Sequence, residues 1–433
     1  MSEPASKRVK KSSPYFQASR TVFSTHNPIR AIVDSMNIQP HPSLRTINLA
    51  LGDPTGFSIS QVPPQLSTGA FGEVQRVLSA PGASLKAVAG YAPSVGTVEA
   101  RQAIADAENA RLAGCQPDRT PDHVIIASGC SGALEMCIAS LIDAGKNIVT
   151  PAPGFSIYGT IASYHSGSAK TYKLLPERGW EVDIEDLDAQ IDENTVAIVV
   201  NNPSNPCGSV YSEDHLLAIA EVAYRRKLPI IADEVYADIV YDGACYTPLA
   251  KVIGKRFGRE VAVLSCGGIA KKYCLPGWRL GWIVMYDSHD EALRIGAVDE
   301  TLKKASQVII GASTLVQALV PALLNDTPGA YFQYFISLYE RNARTIVEKL
   351  ADVPELTPIT PHGAMYCLIK LPETLEDDVK FCEDLAADQS VVILPGKCFH
   401  APGYVRVVLC CAQPDMAEAI DRLITFTRKR LSN

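Results

Sequence analysis

A lysine and an arginine lie eight residues apart in the glycine-punctuated stretch of residues 267–282. The amine of Lys271 can form a Schiff base with an aldehyde, and the guanidinium of Arg279 offers a fork of donors to a phosphate group. Pyridoxal phosphate carries an aldehyde and a phosphate on one ring. The spacing therefore predicts that one loop holds both ends of this cofactor, although a solvated surface connection could have the same composition.

Two further candidates follow the apolar run of residues 228–232, which we interpret as a buried parallel strand. Ligands of open α/β sheets bind beyond the carboxyl ends of the strands. A buried carboxylate at Asp233 would keep a pyridine nitrogen protonated, and the Tyr236 phenol could hydrogen-bond the ring's phenolic oxygen. A strand-capping aspartate and a core tyrosine are the alternatives for either residue alone, so the prediction depends on their occurrence together with Lys271 and Arg279.

A rigid turn is predicted at residues 201–208, which read Asn-Asn-Pro-Ser-Asn-Pro-Cys-Gly and follow the strand-like run of residues 195–200. Each Asn-Pro step restricts the backbone to extended or turn conformations. Asn205 can therefore present an amide to the cofactor's phenolic oxygen and to a substrate carboxylate. An ordinary loop would explain the prolines and the glycine, but it would not explain their position beside the other candidates.

These segments resemble the fold type I pyridoxal phosphate aminotransferases of class I and II, and within them the tyrosine aminotransferase branch. The branch shares the hydroxyl-poor Cys-Gly-Gly-x-Ala-Lys pattern that ends at Lys271. The matching segments together span most of residues 20–430, in the order of the family. They are residues 52–55, 90–96, 128–131, 153–156, 201–208, 232–236, 276–282, 363–366 and 405–408.

The resemblance implies a role for each matched residue at the cofactor ring. Lys271 would carry the cofactor and act as general base, Asp233 would pair with the pyridinium, and Arg279 would hold the phosphate. Asn205 and Tyr236 would contact the ring oxygen. Many relatives carry phosphate-binding serines at the positions of Gly268 and Ala270, so the full set of phosphate ligands stays open in this chain. Lys272 is a weaker candidate to complete that set.

Five motif residues are implied to surround the phosphate and the ring. In the segment of residues 128–131, the backbone amides of Ser128, Gly129 and Cys130 and the hydroxyl of Ser131 would cup the phosphate at a helix N-terminus. A serine N-cap alone is the alternative for this segment. Phe155 would stack on the pyridine face, although an isolated phenylalanine is more often a core residue.

The resemblance also places residues at the substrate and at a partner subunit. Arg406 would bind the substrate's α-carboxylate, with Gly52 nearby, because a guanidinium fits a planar carboxylate with two parallel hydrogen bonds. A strand arginine in a surface ion pair is the alternative, but the neighbours of Arg406 in residues 404–409 are mainly apolar. Tyr91 would reach the phosphate of the neighbouring subunit, which implies a homodimer.

Length and composition are consistent with an intracellular enzyme. The chain has 433 residues, 47% of them hydrophobic, and a net charge of −7, which gives no reason to expect nucleic acid. Its 12 cysteines show no Cys-x-x-Cys spacing and its histidines no ligand spacing, so we predict reduced thiols and no metal site. Without a secretory signal or a bilayer-length apolar run, a cytoplasmic location is expected, with no membrane partner.

The predicted elements that position these residues form two domains. Strand-like runs alternate with helix-like runs at residues 123–127, 147–150, 169–174, 195–200, 228–232, 261–265 and 280–285. They predict an α/β large domain, residues 61–329, with a mainly parallel seven-stranded sheet flanked by helices. A smaller α+β domain would combine residues 21–60 and 330–433, with strands at 364–371, 391–395 and 404–409 and helices at 331–350 and 415–429. Residues 1–20 would be a disordered tail.

The predicted activity is transfer of the amino group of tyrosine or phenylalanine to a 2-oxo acid such as 2-oxoglutarate or pyruvate, with ping-pong kinetics. The same cofactor site would also serve a lyase that eliminates a β substituent, which is the first alternative. A ligand-sensing module on the same fold is a second alternative, opposed by the absence of a DNA-binding segment before the fold. The residue that recognises a second substrate carboxylate is not identifiable from the sequence.

Overall fold

The computed structural model describes residues 19, 21–22, 25–55, 74, 76, 88–115, 118–241, 243–256, 261–287, 291–375 and 377–432. The predicted tail of residues 1–20 lies outside this description, apart from position 19. Strands are β1 Ile47–Asn48, β2 Val124–Ala127, β3 Asn147–Ala152, β4 Ser168–Leu175, β5 Glu181–Val182, β6 Thr195–Asn201, β7 Ile230–Asp233, β8 Val263–Gly268, β9 Gly281–Tyr286, β10 Thr357–Pro358, β11 Tyr366–Lys370, β12 Val391–Val392, β13 Leu394–Pro395 and β14 Tyr404–Val408.

Helices surround these strands and connect them. They are α1 Pro28–Val33, α2 Val98–Leu112, α3 Gly129–Ala139, α4 Ile157–Tyr164, α5 Ile184–Gln190, α6 Glu213–Arg226, α7 Leu249–Arg256, α8 Glu291–Ile295, α9 Val298–Ile309, α10 Thr314–Ala318, α11 Val320–Asp326, α12 Gly329–Leu350, α13 Asp378–Gln389 and α14 Gln413–Leu431.

The large sheet has the strand order β2-β9-β8-β7-β6-β3-β4-β5. The pairs that join β4, β3, β6, β7 and β8 are parallel, whereas β9 runs antiparallel to both of its neighbours. Successive residues of a strand point to opposite faces of the sheet, so these continuously apolar strands build two cores, one on each face. Helices cover both faces, which is the expected α/β architecture.

The seven strands predicted for this sheet all overlap observed strands, and in the described part of the chain the sheet has one more, β5. The additional strand, β5, has only two residues and pairs antiparallel with the end of β4. The chain reverses between them through a 3-10 turn at Pro176–Arg178 that ends on Gly179 with φ 66°. Two residues are too few to show the period-2 alternation by which strands are recognised in a sequence.

A second, antiparallel sheet lies in the carboxyl-terminal part of the chain with the order β10-β11-β14-β13. The single strand predicted at residues 391–395 is divided in the structure. Its first half, β12, pairs in parallel with β1, and its second half, β13, pairs with β14. The buried residue Ile393 separates the two halves. Residues near the amino terminus therefore contact the carboxyl-terminal part of the chain: β1 pairs with β12, and Arg45 forms ion pairs with Asp415 and Glu418 of α14.

The ends of the central strands decide where functional side chains can meet. Asn201 ends β6 and is the Cα partner of Asp233, which ends β7 and in turn is the partner of Cys266 in β8. Because parallel strands present their carboxyl ends at one edge of the sheet, these positions lie side by side. In the described part of the chain, no helix combines the length and the apolar character that crossing a bilayer requires. The cytoplasmic location stays a prediction.

Candidate active site

A cavity of about 280 Å³ opens at this edge of the large sheet and extends to the antiparallel sheet. Its walls come from segments that are far apart in the sequence. The lining residues predicted from the sequence are Gly52, Cys130, Ser131, Phe155, Asn205, Asp233, Tyr236, Lys271, Arg279 and Arg406.

Lys271 lies three residues beyond the end of β8 and projects into the middle of this cavity. Its Nζ donates to the carbonyl oxygen of Gly52 over 2.6 Å and lies 5.9 Å from the centroid of the Tyr236 ring. The amine is half-buried and hydrogen-bonded to a neutral carbonyl. Such a hydrogen bond holds the amine in place without the competing negative charge of a carboxylate.

Asp233 provides a buried carboxylate at the inner end of the cavity, where it is 2% exposed. The hydroxyl of Tyr158 donates to its Oδ2 over 2.7 Å, and the thiol of Cys130 donates to its Oδ1 over 3.7 Å. Burial raises the pKa of Asp233 above its ordinary value, while the hydrogen bond from Tyr158 lowers that pKa. A cationic ligand nitrogen at this position would favour the ionised carboxylate further.

The candidate phosphate site lies at the start of α3. The helix begins at Gly129, whose φ is 74°, and no side chain caps this end, where the first N–H groups of a helix lack intrahelical partners. The Arg279 guanidinium lies against this turn, donating to the carbonyl oxygens of Pro276 over 3.0 Å and of Ser128 over 3.5 Å. The φ of Gly129 favours glycine, and a Cβ added there would lie 2.5 Å from Nη2 of Arg279, so a larger residue would displace this guanidinium.

Arg406, in β14, is 4% exposed at the other end of the cavity. Its Nη1 donates to Asn205 Oδ1 over 3.0 Å, its Nη2 donates to the Ala50 carbonyl over 2.9 Å, and its Nε has no partner. Burial lowers the pKa of this guanidinium. An unpartnered donor on a buried cation is costly, and an incoming carboxylate would satisfy it. Among the described residues, no carboxylate pairs with Arg406, and its burial is inconsistent with the surface ion pair considered for it.

The remaining residues predicted to contact the cofactor ring are two aromatic side chains and one amide. Tyr236 is buried, and burial raises its pKa. Two hydrogen bonds hold Asn205 in place. Its backbone N–H donates to Asn201 Oδ1 over 2.7 Å, and its side-chain Oδ1 accepts from Arg406. The amide therefore offers its NH₂ group to a ligand. Phe155 is half-buried and lines the cavity, edge-to-face with Tyr158.

Three predicted residues do not line the cavity of their own chain. Ser128 and Gly129 lie behind it, in contact with Arg279. Tyr91 is 95% exposed, on the loop before α2. Lys272, the weaker phosphate candidate, instead donates to Asp238 Oδ2 over 2.9 Å and belongs to a separate, smaller cavity.

Sequence reasoning missed several residues of the site. Tyr158, near the start of α4 and three residues after Phe155, donates to Asp233. A tyrosine in an apolar helix pattern is a detectable signal because its buried hydroxyl needs a partner. Asn201 also positions Asp233, through a 3.1 Å hydrogen bond from its Nδ2 to the Asp233 carbonyl. Tyr366 was recognised only as part of a motif. No local signal identifies the apolar wall residues Ile29, Leu51 and Leu394.

Comparisons with known proteins agree with this geometry. Residues 46–423 match the family described as aminotransferase class I and II. The chain is 41% identical over 407 residues to the tyrosine aminotransferase of Homo sapiens, covering 93% of this chain and 85% of the relative, and 36% identical to that of Dictyostelium discoideum, covering 95% of both. The crystal structure of tyrosine aminotransferase from Leishmania infantum superposes with a TM-score of 0.85 at 26% identity, covering 96% of this chain and 99% of the other.

Proposed function

Because the chain belongs to the class I and II aminotransferases, within the tyrosine aminotransferase branch, we propose that it transfers the amino group of an aromatic amino acid to a 2-oxo acid such as 2-oxoglutarate or pyruvate. Its cofactor in this reaction is pyridoxal 5′-phosphate. The observation that carries the proposal is that Lys271, Asp233 and Arg406 line one cavity although they come from three separate segments. The β-elimination lyase is not favoured, because the relatives are named as aminotransferases.

The residues present fit the cofactor at both ends. The N-terminus of α3 and Arg279 form a cationic cradle that suits a phosphate, and a side chain larger than glycine at position 129 would fill it. The carboxylate of Asp233, shielded from water and held by Tyr158, suits a protonated pyridine nitrogen. Lys271 lies between these two ends. When bound, the cofactor supplies an electron sink for the electron pair left on the substrate's α-carbon.

The chain's own residues bind the substrate and move its proton. Arg406 binds the α-carboxylate through its guanidinium at the cavity wall, with the NH₂ group of Asn205 as a further donor. This contact fixes the α-carbon relative to Lys271. The Lys271 Nζ, released from the Gly52 carbonyl, removes the proton from the α-carbon as a general base. The phenol of Tyr236 would donate a hydrogen bond to the cofactor's ring oxygen.

The cavity wall supports an aromatic donor. Ile29, Leu51 and Leu394 contribute apolar surface next to the catalytic groups. Among the described residues of the lining, the cations are Lys271, Arg279 and Arg406, and each already has a role. A donor with an apolar ring gains from this wall, whereas a side-chain carboxylate would lose hydration without a dedicated partner.

We also propose that the enzyme is a homodimer in which Tyr91 completes the phosphate site of the partner. Exposed apolar side chains occur near the loop of Tyr91, at Val308, Ile309 and Ile310, where 56% to 83% of each residue is exposed. The hydrogen bond of 3.0 Å between Ser306 and Ser94 ties this helix end to the Tyr91 loop. Exposed apolar patches of this kind mark interfaces between protein molecules, and a second copy is the expected occupant.

The central test uses purified protein loaded with pyridoxal phosphate. With tyrosine and 2-oxoglutarate or pyruvate, the wild type should form the hydroxyphenyl 2-oxo acid, and borohydride should fix the cofactor to the peptide that contains Lys271. Lys271→Ala should abolish both signals. Lys272→Ala is the matched control, because the adjacent amine pairs with Asp238 outside the cavity, and it should keep both.

Two results would contradict the proposal. Labelling of Lys272 instead of Lys271, or full turnover by Lys271→Ala, would refute the assigned lysine. Release of ammonia from a single amino acid in the absence of a 2-oxo acid would instead indicate a lyase. If aromatic donors were among the poorest in a panel of amino acids at saturating cofactor, the assignment to the tyrosine branch would be wrong.

A further inference from the structure

The cation of Arg406 is held between two aromatic rings. The guanidinium carbon lies 4.2 Å from the centroid of the Tyr366 ring and 4.2 Å from that of the Phe399 ring. Its hydrogen-bond acceptors, Asn205 and the Ala50 carbonyl, are neutral. In the part of the chain that the structure describes, no carboxylate forms an ion pair with Arg406. Aromatic faces stabilise the cation by their quadrupole and leave its charge available to a substrate carboxylate.

Tyr366 has a second contact that Phe399 does not have. Its hydroxyl oxygen lies 2.7 Å from the hydroxyl oxygen of Tyr236, and both side chains are buried. Tyr366 begins β11 of the antiparallel sheet, whereas Tyr236 follows β7 of the large sheet. The Tyr366 hydroxyl also lies against Gly52, where a Cβ would collide with it. Tyr366 thus contacts both the residue assigned to the carboxylate and the residue assigned to the ring oxygen.

The direction of the hydrogen bond between the two phenols follows from proton counting. Each phenol has one proton to donate. If Tyr236 donates to the cofactor's ring oxygen, its proton is used, and the proton between the two hydroxyls must come from Tyr366. A phenol that accepts a hydrogen bond becomes a stronger donor, because hydrogen bonds in a chain polarise one another.

We propose that Tyr366 is a positioning residue that acts on both halves of the site: its ring holds the Arg406 guanidinium for the substrate carboxylate, and its hydroxyl donates to Tyr236 and strengthens the contact of Tyr236 with the cofactor's ring oxygen. This inference depends on the proposed function, because the ring oxygen belongs to pyridoxal phosphate. The two contributions reside in different atoms of one side chain. They can therefore be separated by substitution.

The test compares three variants of the loaded enzyme: Tyr366→Phe, which removes only the hydroxyl, Tyr366→Leu, which also removes the ring, and Phe399→Leu, which removes the opposite ring. Two quantities are measured for each. The first is the pH midpoint of the visible absorbance change of the bound cofactor. The second is the dissociation constant of 3-phenylpropionate, a carboxylate with the shape of an aromatic amino acid but no amine, by calorimetry.

The expected results form a pattern that a merely structural role would not produce. Tyr366→Phe should raise the pH midpoint by about half a unit, because a weaker donor at Tyr236 stabilises the deprotonated ring oxygen less, and should change carboxylate affinity less than about twofold. Tyr366→Leu should raise the midpoint similarly and also weaken 3-phenylpropionate binding by roughly 5- to 30-fold. Phe399→Leu should weaken binding and leave the midpoint unchanged.

An unchanged midpoint in Tyr366→Phe would overturn the hydroxyl role. If Tyr366→Leu bound 3-phenylpropionate as tightly as the wild type, the role of the ring would be overturned. If Tyr366→Leu fails to fold, unaltered 3-phenylpropionate affinity in Phe399→Leu would overturn the proposal that aromatic rings hold Arg406. Failure of the proposed function gives a different signature. In that case the wild type itself would not transaminate aromatic amino acids, whereas the inference fails when the wild type transaminates and the variants do not follow this pattern.

Discussion

Replacement of Tyr158 by phenylalanine should weaken cofactor binding without changing any residue that lines the cavity. The Tyr158 hydroxyl donates to Asp233 Oδ2 over 2.7 Å, and both residues are at most 2% exposed. The variant keeps the ring and its edge-to-face contact with Phe155 and removes only this donor. Water has little access to a carboxylate at this depth, so the lost hydrogen bond is not simply replaced.

The magnitude follows from the charge on the acceptor. A hydrogen bond to an ionised group contributes about 1.5 to 3 kcal/mol, and about 1.4 kcal/mol corresponds to a tenfold change in an equilibrium constant. Because Asp233 must be ionised to pair with a pyridinium, most of this loss should appear in cofactor affinity. We expect the dissociation constant of pyridoxal phosphate to rise about 10- to 100-fold.

The effect of Tyr158→Phe on the stability of the cofactor-free protein should depend on pH in a defined direction. Burial raises the pKa of Asp233 and the Tyr158 hydrogen bond lowers it, so the variant has the higher pKa. In the folded variant, Asp233 therefore binds a proton more readily than in the folded wild type. As pH rises through these pKa values, the stability of the cofactor-free variant falls relative to that of the wild type. Below them, with Asp233 protonated in both proteins, the difference should become small.

The assay is titration of the cofactor-free enzyme with pyridoxal phosphate, followed by absorbance at several pH values. Tyr172→Phe is the matched control. Its hydroxyl is equally buried and donates to the Val199 carbonyl over 2.8 Å, in the same sheet but without contact to Asp233. The control should lose stability and keep cofactor affinity. If Tyr158→Phe binds the cofactor as tightly as Tyr172→Phe at neutral pH, the role assigned to Tyr158 is refuted.

Three further outcomes are expected. Arg406→Ala should raise KM for tyrosine by roughly 100-fold in steady-state assays, because a hydrogen-bonded ion pair is lost; a change in kcat alone would contradict a carboxylate-binding role. Gly129→Ala should weaken cofactor binding in absorbance titrations and leave a folded protein, because its Cβ would lie 2.5 Å from Arg279; unaltered affinity would show that this turn does not hold the phosphate. Tyr91→Phe and Lys271→Ala subunits, each impaired alone, should regain activity when unfolded and refolded together, and the absence of recovery would argue against a site shared between subunits.

The positions of the central strands could be predicted because each is a short, continuous apolar run between polar turns. The predicted strand at residues 195–200 corresponds to β6, and the run at residues 228–232 overlaps β7, which ends at Asp233 itself. A residue at such a boundary is exposed to ligands by the geometry of parallel sheets, so strand prediction also located one candidate site residue.

Short elements and long-range partners were not predictable in this way. The two-residue strand β5 and the division of residues 391–395 between two sheets depend on which neighbours are available for pairing, and pairing leaves no period in so few residues. The sequence signals that the Tyr158 hydroxyl needs a buried partner, but it does not identify Asp233 as that partner. A helical tyrosine has the same sequence signal whether its hydroxyl reaches a carboxylate or another partner.

The sequence by itself determined the chemical inventory of this protein: a lysine for an aldehyde, a carboxylate for a pyridinium, arginines for two anions, and strands and turns to carry them. Only the tertiary structure decided which of these groups meet. Lys271 contacts Gly52 across 219 positions of the chain, Arg406 contacts Asn205 across 201, and Tyr236 contacts Tyr366 across 130. Local patterns report the conformation of one segment, whereas such contacts arise when separate segments pack together, so the aromatic cage of Arg406 and its link to Tyr236 exist only in the folded chain.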